Sequence, residues 1–253
     1  MDKRPLVSIV TVVYNGEKHL EESIKSVINQ TYDNVEYIII DGGSTDGTVD
    51  IIKKYEDKID YWVSEKDGGI YDAMNKGIVI SHGKIIGIVN ADDLIYPDTL
   101  AKVSQAFKND EVMFTYGQVD LADENSKIFD IAKSIGLQSL KYRLFRHMPF
   151  LHPTMFVKKS VYEKIGLYDT NYKLSADYDF ALRIIENKMQ GIRLDFSSGM
   201  FRLGGQSGGV QSYLENHRLL LNHGVNFLLV YLNSVILLSK LFFRKYIIRR
   251  ILK

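Results

Sequence analysis

The chain of 253 residues contains no cysteine, which excludes disulfides, thiolate chemistry and cysteine-ligated zinc while leaving the compartment open. It also has no acidic residue after Glu215, although Arg218, Lys240, Arg244, Lys245, Arg249, Arg250 and Lys253 follow. The formal net charge is only +1, so the body without those cations is net acidic, and body and tail are electrostatically different objects. This asymmetry argues against general nucleic-acid binding and for an anionic surface met by one end. A clean run of about 20 apolar residues, the length needed to span a bilayer, is missing as well. The uncharged stretch between Arg218 and Lys240 is broken by Asn222, His223, Gly224, Asn226, Asn233 and Ser234. No internal repeat or low-complexity segment is present.

What is there is enough apolar material for one large core, at 45% hydrophobic residues. Met1-Asp2-Lys3-Arg4 followed by Pro5 to Val13 imitates the start of a signal peptide. No small-residue cleavage site follows and the run is β-branched, so it reads as a buried first strand. Strand-like and helix-like segments then alternate: Val7 to Val13, the helical face Leu20, Ile24, Val27 and Ile28 within Glu17 to Asn29, Val35 to Ile40, Thr48 to Tyr55, Tyr61 to Ser64, Tyr71 to Ile80, and Ile85 to Val89. That order implies an α/β fold with a mostly parallel central sheet covered by helices on both faces. From Phe107 to about Arg146 the pattern weakens; beyond it a strand is expected at Thr154 to Val157 and helices at Val161 to Ile165 and Tyr178 to Glu186.

In such folds ligands sit outside the carboxyl ends of the strands. Here those ends carry Tyr14-Asn15-Gly16, Asp41-Gly42-Gly43-Ser44-Thr45-Asp46-Gly47 and Asn90-Ala91-Asp92-Asp93, with Glu65-Lys66-Asp67-Gly68-Gly69 between the last two. Adjacent carboxylates at Asp92 and Asp93 need solvent or a cation, and a hard ion such as magnesium or manganese suits them, although either residue could instead cap a following turn. The Gly-rich loop after Asp41 is neither a Walker loop nor a dinucleotide fingerprint. Ser44 and Asp46 read as turn chemistry, whereas Asp41 at the strand end could accept the imino proton of a uracil or guanine ring.

Together these segments, with Asp67-Gly68-Gly69-Ile70-Tyr71-Asp72-Ala73-Met74-Asn75-Lys76-Gly77 and Ser175-Ala176-Asp177-Tyr178-Asp179-Phe180, resemble the family 2 glycosyltransferases of the Rossmann-like GT-A fold over about residues 5–205. The resemblance implies a metal-dependent, inverting transferase acting on a nucleotide-sugar donor, UDP-sugars first. Tyr14 would flank the base, Asp41 bind its edge, Asp67 lie near the nucleotide, Asp92 bind the ribose and Asp93 hold the Mn2+ or Mg2+ that bridges the diphosphate. Asn90 stands where the commoner metal motif has an aspartate, and Ala176 where an acid usually precedes the base. Asp177 resembles the general base, with Asp179 as the competing candidate, otherwise a solvated carboxylate favoured by the helix dipole. His152 resembles an acceptor-side residue or is a structural histidine, and Arg202 either contacts diphosphate from the Gly-rich stretch Leu203 to Gly209 or is a solvated arginine.

The resemblance also implies a lipid-linked or other glycan acceptor in bacterial surface-polysaccharide assembly. The expected organisation is a transferase domain over residues 1–215, with a nucleotide-binding half to about 105 and an acceptor-binding half beyond it, and a helical basic tail over 216–253. Lys240 to Lys253 mixes aromatic anchors with cations, as an interfacial helix on anionic lipid would, and places the protein peripherally on the inner face of the cell membrane. Its charges do not share one helical face, and a helix packed on protein is the alternative. A sugar nucleotidylyltransferase would carry a Gly-rich, Arg-bearing loop after its first strand, unlike Tyr14-Asn15-Gly16-Glu17. A processive synthase would need a Gln-x-x-Arg-Trp segment, but the only tryptophan is Trp62. A non-catalytic nucleotide-binding scaffold would lack the base that Asp177 supplies.

Overall fold

Alternate residues of the first strands point to two different cores. In β1 (Val7–Val13) Val10 and Val12 enter one apolar cluster while Val7, Ile9 and Val13 enter the other. The same division separates Ile38 and Ile40 from Tyr37 and Ile39 in β2 (Val35–Asp41), and Ile86 and Ile88 from Ile85 in β4 (Ile85–Ile88). A strand buried on both faces is apolar throughout, which is why these segments read as continuous hydrophobic runs. The computed structural model describes residues 4–134, 148–204, 210–232 and 235.

One cluster is closed by α1 (Leu20–Ile28), α2 (Thr48–Lys54) and α4 (Thr99–Ala106), through Leu20, Ile24, Val27, Ile52, Leu100 and Val103. The other is closed by α3 (Ile70–Ile80), α5 (Lys159–Ile165) and α6 (Ala176–Glu186), through Met74, Ile78, Val161, Tyr162, Phe180 and Ile184. Helix α3 lies close enough to the sheet that a Cβ at Gly77 would come within 2.2 Å of a Val10 methyl, so only glycine fits there.

Among the described residues the sheet has nine strands, in the order β3 (Tyr61–Ser64), β2, β1, β4, β8 (Phe156–Lys158), β6 (Phe114–Ala122), β9 (Gly191–Arg202), β5 (Leu94–Ile95), with β7 (Ile128–Lys133) also paired to β6. Strand β1 is parallel to β2 and to β4, and β2 is parallel to β3 (Tyr61–Ser64). Beyond β4 the expected mostly parallel arrangement gives way to a mixed one. Strand β8 (Phe156–Lys158) runs antiparallel to β4 and β6, β7 is antiparallel to β6, and β9 (Gly191–Arg202) pairs parallel with β6 but antiparallel with β5 (Leu94–Ile95). For β6 and β7 the physical reason is connectivity, since the short turn between them contains no crossover helix and permits only an antiparallel pair.

Helix α1 begins at Leu20 rather than Glu17 because the Glu17 carboxylate is used outside the helix, accepting the Gly47 N–H at 2.7 Å. The strand expected at Thr154 to Val157 is a 3-10 turn at His152–Thr154, where Pro153 has no N–H to give a ladder, followed by β8. Helix α7 (Val210–Asn222) follows β9, and residues 227–232 form a further helical segment with Phe227, Leu228, Leu229, Tyr231 and Leu232 exposed. Among the described residues no helix is long and apolar enough to cross a membrane. The basic stretch from Lys240 to Lys253 lies outside the described residues, as does Gly205 to Gly209 after Arg202.

Candidate active site

Strand β1 lies between β2 and β4 and runs parallel to both, so the loops after these three strands emerge side by side at the carboxyl end of the sheet, where ligands bind in such folds. The loops after β1 and β2 are stitched together. Ser44 Oγ accepts the Asn15 N–H at 2.7 Å, Asn15 Oδ1 the Thr45 N–H at 2.9 Å, Thr48 Oγ1 the Gly16 N–H at 2.9 Å and Asp46 the Glu17 N–H at 3.2 Å. Asn15 adopts a left-handed φ of 50°, which asparagine tolerates better than most residues. Tyr14, at the end of β1, is left 66% exposed, an aromatic side chain largely open to solvent.

Asp41 ends β2 fully buried. Its carboxylate accepts the Ser44 N–H at 3.0 Å and the Ser44 and Ser64 hydroxyls at 2.5 Å each, so it holds the ends of β2 and β3 together. Asp67 is half-buried, accepts the Gly69 N–H at 2.8 Å, and lies over Gly42, where a Cβ would stand 2.8 Å from Asp67 Oδ2. Glycine at 42 is what admits this carboxylate.

At the end of β4 the two acids differ. Asp92 is half-exposed, whereas Asp93 is 3% exposed and accepts the Asn90 amide N–H at 3.2 Å and the Arg202 backbone N–H at 3.3 Å. Burial, and then the neighbouring Asp92 charge, push the Asp93 carboxyl well above the usual carboxylate range. Asn90 Oδ1 is buried with no hydrogen-bond partner among the described residues. Arg202, at the end of β9, is 3% exposed rather than solvated: it donates to the Asp92 carbonyl, to Glu22 of α1 and, at 2.8 Å, to Ser126 Oγ. Its Nε has no partner among the described residues. His19, half-buried, is held below its ordinary pKa by burial and by the Arg202 charge.

A second group of residues lies at the start of α6. Asp177 is half-buried, and its Oδ1 accepts both the Tyr71 hydroxyl and the Tyr178 N–H at 2.9 Å. Asp179 is not a solvated carboxylate. It is 6% exposed and pairs with Arg183 at 2.7 Å and His223 at 2.9 Å. Burial alone would raise its pKa, but these two partners outweigh it and hold the carboxyl low. His152 Nε2 meets the Tyr168 hydroxyl at 2.9 Å, and burial lowers its pKa, opposed by the Asp177 charge, so the ring is held neutral. Tyr71 and Tyr168 lie with ring centroids 5.7 Å apart.

The structure therefore brings Asp92, Asp93 and Arg202 together, and likewise Asp177 and His152 through Tyr71 and Tyr168. Sequence reasoning missed Glu22, Ser126 and Tyr71 as partners in these groups. Only Tyr71, inside a recognised motif, carried any signal.

Residues 8–166 match the family described as Glycosyl transferase family 2. The chain belongs to that family. An uncharacterized glycosyltransferase of Methanocaldococcus jannaschii is 35% identical over 195 residues, covering 74% of this chain and 67% of the relative. Two Rickettsia relatives are longer still, and the match spans 59% and 57% of them. S. aureus TarS 1–349 in complex with UDP-GlcNAc superposes with a TM-score of 0.64 at 17% identity, over 88% of this chain and 70% of that one. The mannosyltransferase PcManGT of Pyrobaculum calidifontis, in complex with GDP-Man and Mn2+, gives 0.64 at 19% identity over 88% and 64%. At these identities the likeness shows the fold.

Proposed function

We propose that this family 2 glycosyltransferase is an inverting, single-addition enzyme that uses a divalent metal and a nucleotide-diphosphate sugar, UDP-linked first, to glycosylate a hydroxyl of a membrane-held glycan. The observation that carries the reading is the Asp92–Asp93 pair after β4, the strand next to β1, whose own end carries the exposed Tyr14. Its donor set fits a hard cation: two adjacent carboxylates, Asp93 being raised by burial and then by its neighbour's charge, and the buried Asn90 amide oxygen, which has no partner among the described residues. Among the described residues no cluster of three or more His, Cys, Asp or Glu side chains could hold a metal, so water and the substrate diphosphate would complete the shell. The metal, when bound, neutralises the departing diphosphate.

The chain's own residues would do the rest. Tyr14 offers its exposed ring to the base and Asp92 its half-exposed carboxylate to the ribose, with Asp93 as the metal ligand. Asp41 retains acceptor capacity for the base edge, but its burial requires the Ser44–Ser64 side of the loop to open first. Asp177 takes the acceptor hydroxyl's proton as the new C–O bond forms on one face of the sugar and the bond to phosphate breaks on the other. Asp179 is already committed to Arg183 and His223, which supports Asp177 as the base. Residues 1–105 would bind the nucleotide and about 106–215 the acceptor. The exposed apolar side chains of 227–232, followed in sequence by six cations after Ser239, support attachment to anionic lipid on the inner face of the cell membrane.

Calorimetry of UDP and GDP binding tests the metal assignment. Wild-type affinity should rise with Mn2+, and Asp93→Ala should abolish that rise. A variant that keeps the wild-type Mn2+ dependence shows that Asp93 is not the ligand.

A further inference from the structure

Helix α3 begins directly after Asp67-Gly68-Gly69, with Gly69 at a φ of 114° that turns the chain into the helix. Its second residue, Tyr71, is 8% exposed and reaches across to Asp177, 106 positions away in sequence, placing its hydroxyl 2.9 Å from Oδ1. Burial, and then the Asp177 charge, push the Tyr71 pKa far up, so the hydroxyl stays protonated and donates to the carboxylate. The Tyr178 N–H is a second donor to the same oxygen at 2.9 Å. Two donors fill Oδ1, and Oδ2 is engaged by no described residue. The carboxylate thus has one anchored oxygen and one available oxygen.

Two further contacts tie the same helix and loop to the segment that carries Asp177. Lys173 Nζ donates to the Gly68 carbonyl at 3.4 Å, and Asn75, one turn beyond Tyr71, exchanges two hydrogen bonds of 2.8 and 2.9 Å with the Tyr168 backbone. On its other side that segment is held by Glu215 of α7, which accepts the Lys173 and Leu174 N–H groups. We propose that Tyr71 is a positioning residue for Asp177: its hydroxyl fixes the carboxylate so that Oδ2 faces the acceptor, and it links that orientation to the loop carrying Asp67. The inference rests on the reading of Asp177 as the base. A hydroxyl bonded to a carboxylate loses its orienting effect when removed, while the ring that packs against Tyr168 is kept in Tyr71→Phe.

The test is a double-mutant cycle with turnover read as UDP or GDP release from a saturating nucleotide sugar. Tyr71→Phe should lower kcat about ten- to hundredfold, the scale of one hydrogen bond to a charged group, with donor KM within about twofold. Added to Asp177→Asn it should cost no more than about a further twofold, because its effect passes through that carboxylate. Wild-type kcat in Tyr71→Phe overturns the proposal, and so does a full multiplicative loss in the Asp177→Asn background. Wild-type turnover in Asp177→Asn alone overturns the base assignment itself, and this proposal with it.

Discussion

Asp177 and Asp179 stand two residues apart in the first turn of α6, and exchanging each for asparagine should separate chemistry from stability. The Asp179 side chain is 8% exposed and joins Arg183 of its own helix to His223 just beyond α7. In Asp179→Asn the new amide would keep an acceptor oxygen for one partner and turn an N–H2 towards the other, losing at least one charge-assisted hydrogen bond. Such a bond is worth about 1.5–3 kcal/mol, and removing one member of a buried pair adds the cost of the charge left behind. Arg183 keeps the carbonyls of Ile165, Gly166 and Leu167, and His223 keeps Glu186, which limits that second cost. We therefore expect Asp179→Asn to lose about 2–4 kcal/mol of stability and to retain turnover per folded molecule. Asp177→Asn should do the reverse. Its amide oxygen can still accept from Tyr71 and Tyr178, so stability should change by less than about 1 kcal/mol, while turnover falls by roughly two to four orders of magnitude. Urea denaturation and nucleotide-release kinetics on the same preparations measure both. A stable, inactive Asp179→Asn beside an active Asp177→Asn would refute the assignment.

The His223 bonds to Asp179 and Glu186 raise its pKa, whereas Asp179 is held low, so this contact should be pH-dependent. The His223 contribution is fully present below its unfolded value of about 6.5 and fades as pH rises through the raised folded value; that of Asp179 is present above about 3.9 and fades as pH falls through its depressed one. The Tm difference between wild type and His223→Gln should accordingly be largest between about pH 4 and 6.5 and shrink under alkaline conditions, and a difference flat across that range contradicts the pairing. Deleting the residues after Ser239 should release the protein from anionic vesicles while preserving nucleotide binding. Added salt should weaken attachment of the full chain, since surface charges are screened beyond about 8 Å at physiological ionic strength; equal sedimentation of both forms would contradict the anchor.

The parallel half of the fold was legible because strands buried on both faces announce themselves as β-branched runs, and their ends fell where Tyr14, Asp41 and Asp92 stand. The antiparallel half was not. Strand β9 pairs with β6 on one side and β5 on the other through two register shifts, and no local periodicity records such long-range pairing. Individual carboxylates were legible as residue types in motifs, but their partners were not. Arg202 meets Glu22 across 180 positions, and Tyr71 meets Asp177 across 106. Such contacts decide that Arg202 is a buried clamp and that Asp179 is an ion-paired strut, where the sequence alone left each with a solvated alternative.

The central claim, metal-assisted transfer from a nucleotide sugar, is tested most directly by nucleotide release across a panel of UDP- and GDP-sugars, with Mn2+ and with a chelator. Release of UDP or GDP from at least one donor should require the metal and should be lost in Asp93→Ala. Release that continues unchanged in the chelator, or no binding and no release with any donor in the presence of Mn2+, would contradict the account.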